Sequence, residues 1–115
     1  MRLVPTLLFC LVAGGCSFSG DITPLEEYPP PNDKLLAGGI LAGIKDSHFD
    51  PPIEVTDVYR APANSTPQWM VCVRSAKSED ASRLTYSVFF GKTGYVNSRY
   101  SASNENCTSQ AYHPS

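Results

Sequence analysis

The sequence predicts a small α+β domain in which one N-terminal helix packs on an antiparallel β-meander of three to four strands, with one disulfide. Three observations support this fold class. The single segment with helical spacing of apolar residues precedes all segments with alternating spacing. Short turn-forming stretches separate the alternating segments, as in a meander. Two cysteines of the second half, Cys72 and Cys107, remain available for a cross-link.

The predicted helix begins at Lys34, because Asn32 and Asp33 before it can cap a first turn with their side chains. His48 lies at its C-terminal end, where a cation is favoured by the helix dipole. The apolar side chains expected to face the sheet are Leu36, Ile40, Leu41 and Ile44.

Gly39 and Gly43 form a GxxxG pair within this helix. Such a pair favours dimerisation in transmembrane helices, but only ten apolar residues separate Lys34 from Lys45. Ten helical residues extend about 15 Å, roughly half of a bilayer core. The glycines therefore predict close packing of the helix on the sheet. A surface-lying or partner-binding helix is the alternative.

Alternation begins at Ile53 and Val55, which mark a short strand that can extend to Tyr59. Longer strands are predicted at 69–75, 84–90 and 95–100, with a glycine hairpin between the last two. Met70, Cys72 and Arg74 point away from the helix. Residues 101–115 are polar, and we expect them to be held chiefly by Cys107. The sheet residues expected in the core are Trp69, Val71, Val73, Leu84, Tyr86, Val88, Phe90 and Val96.

The N-terminus has the order of parts of a secretory signal: Met1-Arg2, then an apolar run to Ala13. Ala13-Gly14-Gly15-Cys16 resembles the lipobox of bacterial lipoproteins, although leucine is favoured where Ala13 stands. The resemblance implies that Cys16 is lipidated and becomes the first mature residue. An ordinary signal peptide cut nearby and an uncleaved anchor are the alternatives; the run is shorter than the roughly 20 residues of a membrane span.

This interpretation divides the chain into a signal peptide at 1–15, a proline-rich tether at 16–32 and a domain at 33–115. A proline-rich docking peptide is the alternative for the tether. The expected location is a membrane, with the domain facing the periplasm. Ser17, rather than aspartate, follows the cysteine. By resemblance to sorting in enteric bacteria, that residue favours the outer membrane over the inner one.

In such an oxidising compartment, Cys72 and Cys107 are predicted to form a disulfide that closes a loop of about 35 residues. Cys10 would leave with the signal. Without CxxC spacing or a histidine cluster, the two cysteines make a poor zinc site. A second resemblance rests on the segment from Trp69 to Arg74, the strand ending at Phe90, the glycine hairpin and Cys107. Over residues 50–108 these features resemble a group of small alphaproteobacterial envelope lipoproteins. That resemblance implies the fold and the disulfide but no activity.

Charge is unevenly distributed. Residues 16–57 hold eight acids and two bases (net −6), whereas 58–115 hold three acids and six bases (net +3). The two halves can attract each other within one domain; alternatively, the basic half faces phosphate-bearing lipid or an acidic partner. The six bases form no run, so nucleic-acid binding is not predicted.

No combination of nucleophile and base predicts an enzyme, and no cofactor or metal is predicted, because His48 and His113 lack nearby ligand sets. Two functional classes remain. The first is a structural or accessory component of an envelope assembly; the second is a periplasmic binding module, such as an enzyme inhibitor or a small-ligand binder. The residues most suited to a partner surface, otherwise ordinary sheet-surface residues, are Arg74, Tyr95, Arg99, Tyr100 and Tyr112.

Overall fold

The computed structural model describes residues 26–63, 65–77 and 84–115. In this part of the chain one helix packs on an antiparallel sheet, which confirms the predicted α+β class. The elements are α1 (Asp33–Ser47), β1 (Ile53–Thr56), β2 (Tyr59–Arg60), β3 (Trp69–Ser75), β4 (Tyr86–Gly91), β5 (Gly94–Tyr100) and β6 (Tyr112–Pro114). The strand order is β5-β4-β3-β1-β6, and β2 pairs with the start of β3.

The predicted strand number was too low, because the structure contains six strands in its described residues. The strand missed altogether is β6, which lies in the polar segment after residue 100 and pairs with β1 from Thr56↔Tyr112 to Glu54↔Pro114. Its three residues carry no apolar alternation, so only its pairing partner identifies it as a strand.

The helix begins and ends close to the predicted residues. The Asn32 side chain accepts a hydrogen bond from the Leu35 amide at 2.9 Å, which caps the first turn. His48 ends the helix with a left-handed backbone conformation (φ 60°). The start of α1 is therefore fixed by a side-chain cap, and its end by a residue with a left-handed backbone conformation.

The two glycines of the GxxxG pair lie against β4. A Cβ atom added to Gly39 would lie 2.2 Å from Phe90 Cε2, and one added to Gly43 would lie 2.4 Å from Val88 Cγ2. No side chain larger than hydrogen fits at either position without movement of the sheet residues. The predicted close packing of the helix on the sheet is confirmed.

The sheet has an apolar core on each face. The helix-side core includes Val71, Val73, Val88 and Phe90, with Leu36, Ile40 and Ile44 of α1 packed against it. The second core was not predicted. It lies on the opposite face and contains Ala61, Met70, Cys72, Phe89 and Cys107.

Three predicted core residues are exposed instead: Leu41 by 68%, Leu84 by 60% and Val96 by 51%. Leu41 is two residues from each packing glycine, which places it about 200° around the helix from the sheet. Leu84 precedes β4, which begins only at Tyr86. Val96 lies at an irregularity in the β4–β5 register, where alternation breaks down.

The described end of the predicted tether, residues 26–32, lies against the domain. The Tyr28 carbonyl accepts a hydrogen bond from the Trp69 indole at 2.9 Å, and the Tyr28 hydroxyl accepts one from the Gln68 amide at 2.9 Å. This end of the predicted tether is therefore in contact with the start of β3. Residues 16–25 of the tether lie outside the described residues.

The predicted attraction between the acidic and basic halves occurs within the domain. Glu26 pairs with Lys92 at 3.5 Å, and Glu27 pairs with Arg60 at 3.2 Å. A third pair, Arg74–Glu54 at 2.8 Å, connects β3 to β1.

Gly39→Ala should lower the free energy of unfolding by about 1–3 kcal/mol, because the new methyl group overlaps the Phe90 ring. The matched control is Gly38→Ala, where an added Cβ meets nothing within 4 Å. That substitution should raise stability by about 0.5–1 kcal/mol through helix propensity. Urea unfolding of the two variants measures both effects; changes of the same sign would contradict the packing argument.

Candidate functional site

The predicted disulfide joins Cys72 of β3 to Cys107, with 5.8 Å between the Cα atoms. Both residues are buried. The Tyr59 hydroxyl lies 3.0 Å from Cys72 Sγ and donates a hydrogen bond to the Glu105 carbonyl at 2.6 Å. Burial, followed by the charges of Tyr112 and Glu105, raises the pKa of Tyr59 to about 12, so this hydroxyl remains a donor at neutral pH.

A buried carboxylate, which sequence reasoning missed, lies beside the disulfide. The Glu105 side chain is only 2% exposed. The Ser87 hydroxyl donates to Oε1 at 2.7 Å, and the Ala102 amide donates to the same oxygen at 2.9 Å. Arg99 forms an ion pair with Oε2. The Glu105 carboxylate therefore connects the C-terminal segment to β4 through Ser87 and to β5 through Arg99.

Both arginines of the predicted partner surface are engaged within the domain. Arg74 Nε donates to Glu54 Oε1 at 2.8 Å, and its guanidinium carbon lies 3.7 Å from the centroid of the Tyr112 ring. The guanidinium of Arg99 lies 5.0 Å from the Phe89 ring centroid. Each arginine therefore holds neighbouring strands together on the face of the second core.

The helix side of β5 carries a different group of polar and aromatic residues, which we call the tyrosine surface: Tyr95, Ser98 and Tyr100 of β5 with Asp46 of α1. Asp46 Oδ2 accepts hydrogen bonds from Ser98 and from Tyr86, both at 2.8 Å. The hydroxyls of Tyr95 and Ser98 lie 2.9 Å apart. This network joins α1 to β4 and β5.

The hydrogen bonds of this network shift two pKa values. Those from Ser98 and then Tyr86 lower the pKa of Asp46. The hydrogen bond to Asp46 in turn raises the pKa of Tyr86. Asp46 is therefore ionised and Tyr86 is a neutral donor at physiological pH.

The two β5 tyrosines are accessible on this surface. Tyr95 is 40% exposed and Tyr100 is 57% exposed. The Tyr100 ring meets Tyr86 edge to face, with 5.1 Å between centroids, and Phe49 lies 6.5 Å away. Contacts with the buried Tyr86 ring and the partly buried Phe49 ring hold Tyr100 in place, which leaves a fixed aromatic surface for contact.

The five residues of the predicted partner surface are thus divided between the two faces of the sheet, with Tyr112 beside Arg74. Tyr95 and Tyr100 lie on the helix side, opposite Phe90 and Tyr86 in the register. Arg74 and Arg99 lie on the other face of the sheet, because side chains alternate along β3 and β5.

The two histidines occupy separate positions. His48 ends α1, and His113 Nε2 lies 3.1 Å from Asp57 Oδ1. Across the described ranges, no group of three or more His, Cys, Asp or Glu residues is arranged to hold a metal ion. No helix within those same ranges is long and apolar enough to cross a membrane.

An apolar groove of about 340 Å³ separates α1 from β6. Leu41, which is exposed, lies at its rim. Its other lining residues are Ala37, Ile40, Ile44, Val55, His113, Pro114 and Ser115.

Comparisons of the chain with protein-family models, with curated proteins and with solved structures found no match. Cys16 lies outside the described residues, so its lipidation stays a prediction from the sequence.

Glu105→Gln should lower the free energy of unfolding by about 1–3 kcal/mol, because the buried carboxylate loses its charge towards the half-exposed Arg99 and an acceptor for the Ser87 and Ala102 donors is exchanged for a donor. Asp57→Asn is the control, since that carboxylate pairs with His113 on the surface at 96% exposure. Thermal and urea unfolding at pH 7 would measure both. A Glu105→Gln protein as stable as the control would refute a structural role for this carboxylate.

Asp46 should contribute stability above pH 3.8, its unfolded pKa, and lose that contribution as the pH falls through its lower folded value. Asp46→Asn should therefore flatten the acid side of the stability curve below about pH 4. Ser98→Ala, which removes the strongest donor, should flatten it partly. Urea unfolding at a series of pH values would reveal this; an acid slope identical to wild type in both variants would contradict the network.

Proposed function

We propose that the protein is a lipid-anchored envelope protein, held in the membrane by Cys16 with its domain facing the periplasm. The observation that carries this proposal is the buried Cys72–Cys107 disulfide. Such cross-links persist in oxidising compartments. Together with the resemblance of Ala13-Gly14-Gly15-Cys16 to a lipobox, it supports export and anchoring. The outer membrane is favoured by Ser17.

Within the envelope, we assign the domain a structural or accessory role in a protein assembly, without catalysis of its own. The buried polar groups support this role, because Glu105 and Tyr59 are engaged by neighbouring residues of the fold. His48 and His113 serve as a helix end and as one member of a surface pair. Exposed apolar side chains for contact with other proteins include Tyr95, Val96 and Tyr100 of β5.

The alternative is a periplasmic binding module, such as an inhibitor of an enzyme or a small-ligand binder. The tyrosine surface favours the binding module, because the exposed Tyr100 ring is held by contacts with Tyr86 and Phe49. Crosslinking in intact cells distinguishes the two classes. Capture of integral envelope proteins supports the accessory role, whereas capture of a soluble enzyme supports the module.

Cys16→Ser should abolish membrane attachment while leaving the domain folded, because the disulfide and both cores, with the side chains packed against them, lie between residues 36 and 112. Detergent-phase partitioning would measure attachment, and thermal unfolding would measure the fold. Cys10→Ser is the matched control and should change neither. A Cys16→Ser protein that still partitions into detergent would overturn the lipid anchor.

The intact mass of the wild-type protein tests the same proposal directly. A mature chain that begins at Cys16 and is heavier by a diacylglycerol-type group is expected. Two alkyl groups should add to Cys72 and Cys107 only after reduction.

A further inference from the structure

One edge of the sheet is long and unprotected. β5 pairs with β4 on its inner side, and no described strand pairs with its outer side over the seven residues Gly94–Tyr100. Alternate backbone N–H and C=O groups along such an edge point outward. An extended polypeptide strand is the ligand that satisfies a row of such groups.

The opposite edge of the sheet, formed by β6, is protected against pairing with another strand. β6 is three residues long and ends in Pro114, and short proline-ended edges resist pairing. β5 contains neither proline nor lysine. Its one charged residue, Arg99, is paired with Glu105 of the same chain. Among the described residues, the feature of this edge that opposes pairing is the register irregularity near Val96.

Exposed apolar side chains are concentrated beside the same edge. Six large apolar residues are exposed in the described part of the chain, and three of them belong to β5 itself: Tyr95, Val96 and Tyr100. A fourth, Leu35 of α1, is 37% exposed and lies next to Gly94. Backbone groups and apolar surface therefore offer one continuous contact area.

We propose that a second copy of this chain occupies this edge, with the two β5 strands paired antiparallel about a two-fold axis. β5 is itself an extended strand with the same unpaired groups, so two copies satisfy each other's donors and acceptors. Within β5 the one charged residue, Arg99, is paired with Glu105, so the strand itself brings no unpaired like charges together. The pairing needs no lipid on Cys16 and goes beyond the proposed function.

Sedimentation of the full-length protein in detergent, over a range of protein concentrations, tests the pairing. We expect a dimer that dissociates on dilution. Val96→Lys places a charge on each copy at the edge and should weaken dimerisation at least tenfold. Leu41→Lys is the matched control, because Leu41 is the more exposed residue and lies on α1 away from β5; it should leave dimerisation unchanged.

Hydrogen exchange of the wild-type protein provides a measurement that needs no variant. Amides of β5 should become slower to exchange as concentration rises, while those of α1 stay constant. A monomer at all concentrations with unprotected β5 amides would overturn the proposal. So would a dimer that Val96→Lys leaves intact, or protection of β5 only by a different envelope protein.

Discussion

The fold depends on covering both faces of one small sheet. The central strands β3 and β4 carry apolar side chains on each side, with Val71 and Val88 facing the helix and Met70 and Phe89 facing away. One helix covers one face only. The other face is covered by the segment that follows β5, and the disulfide holds that segment in place through Cys107.

This arrangement explains where the polar groups lie. Because the C-terminal segment crosses the second face as two short 3-10 helices, Ser103–Glu105 and Cys107–Ser109, its polar groups need partners other than a strand ladder. Glu105 accepts from Ser87 and Ala102, and Tyr59 donates to the Glu105 carbonyl. Taken alone, the group of Glu105 and Tyr59 would suggest a catalytic site. Its position is explained by the way the C-terminal segment covers the second face of the sheet.

The elements that local patterns determine were predictable from the sequence, and those that depend on distant partners were not. Capping at Asn32, close packing at Gly39 and the three long strands each have a local signal. β6 and the burial of Glu105 arise only from pairing with β1 and from the disulfide. The predicted partner surface failed to assemble for a related reason. Residue type suggested contact, but strand alternation places Tyr95 and Tyr100 on the face opposite to Arg74 and Arg99.

The proposed anchor and the proposed dimer are geometrically compatible, which constrains how the pair would lie. The Glu26–Lys92 ion pair places the N-terminal end of the described chain near the β4–β5 turn, at one end of β5. Antiparallel pairing puts the two turns at opposite ends of a strand about 23 Å long. Residues 16–26 can span at most about 33 Å. Both lipids can therefore reach one bilayer most readily when the β5 strands run parallel to its surface.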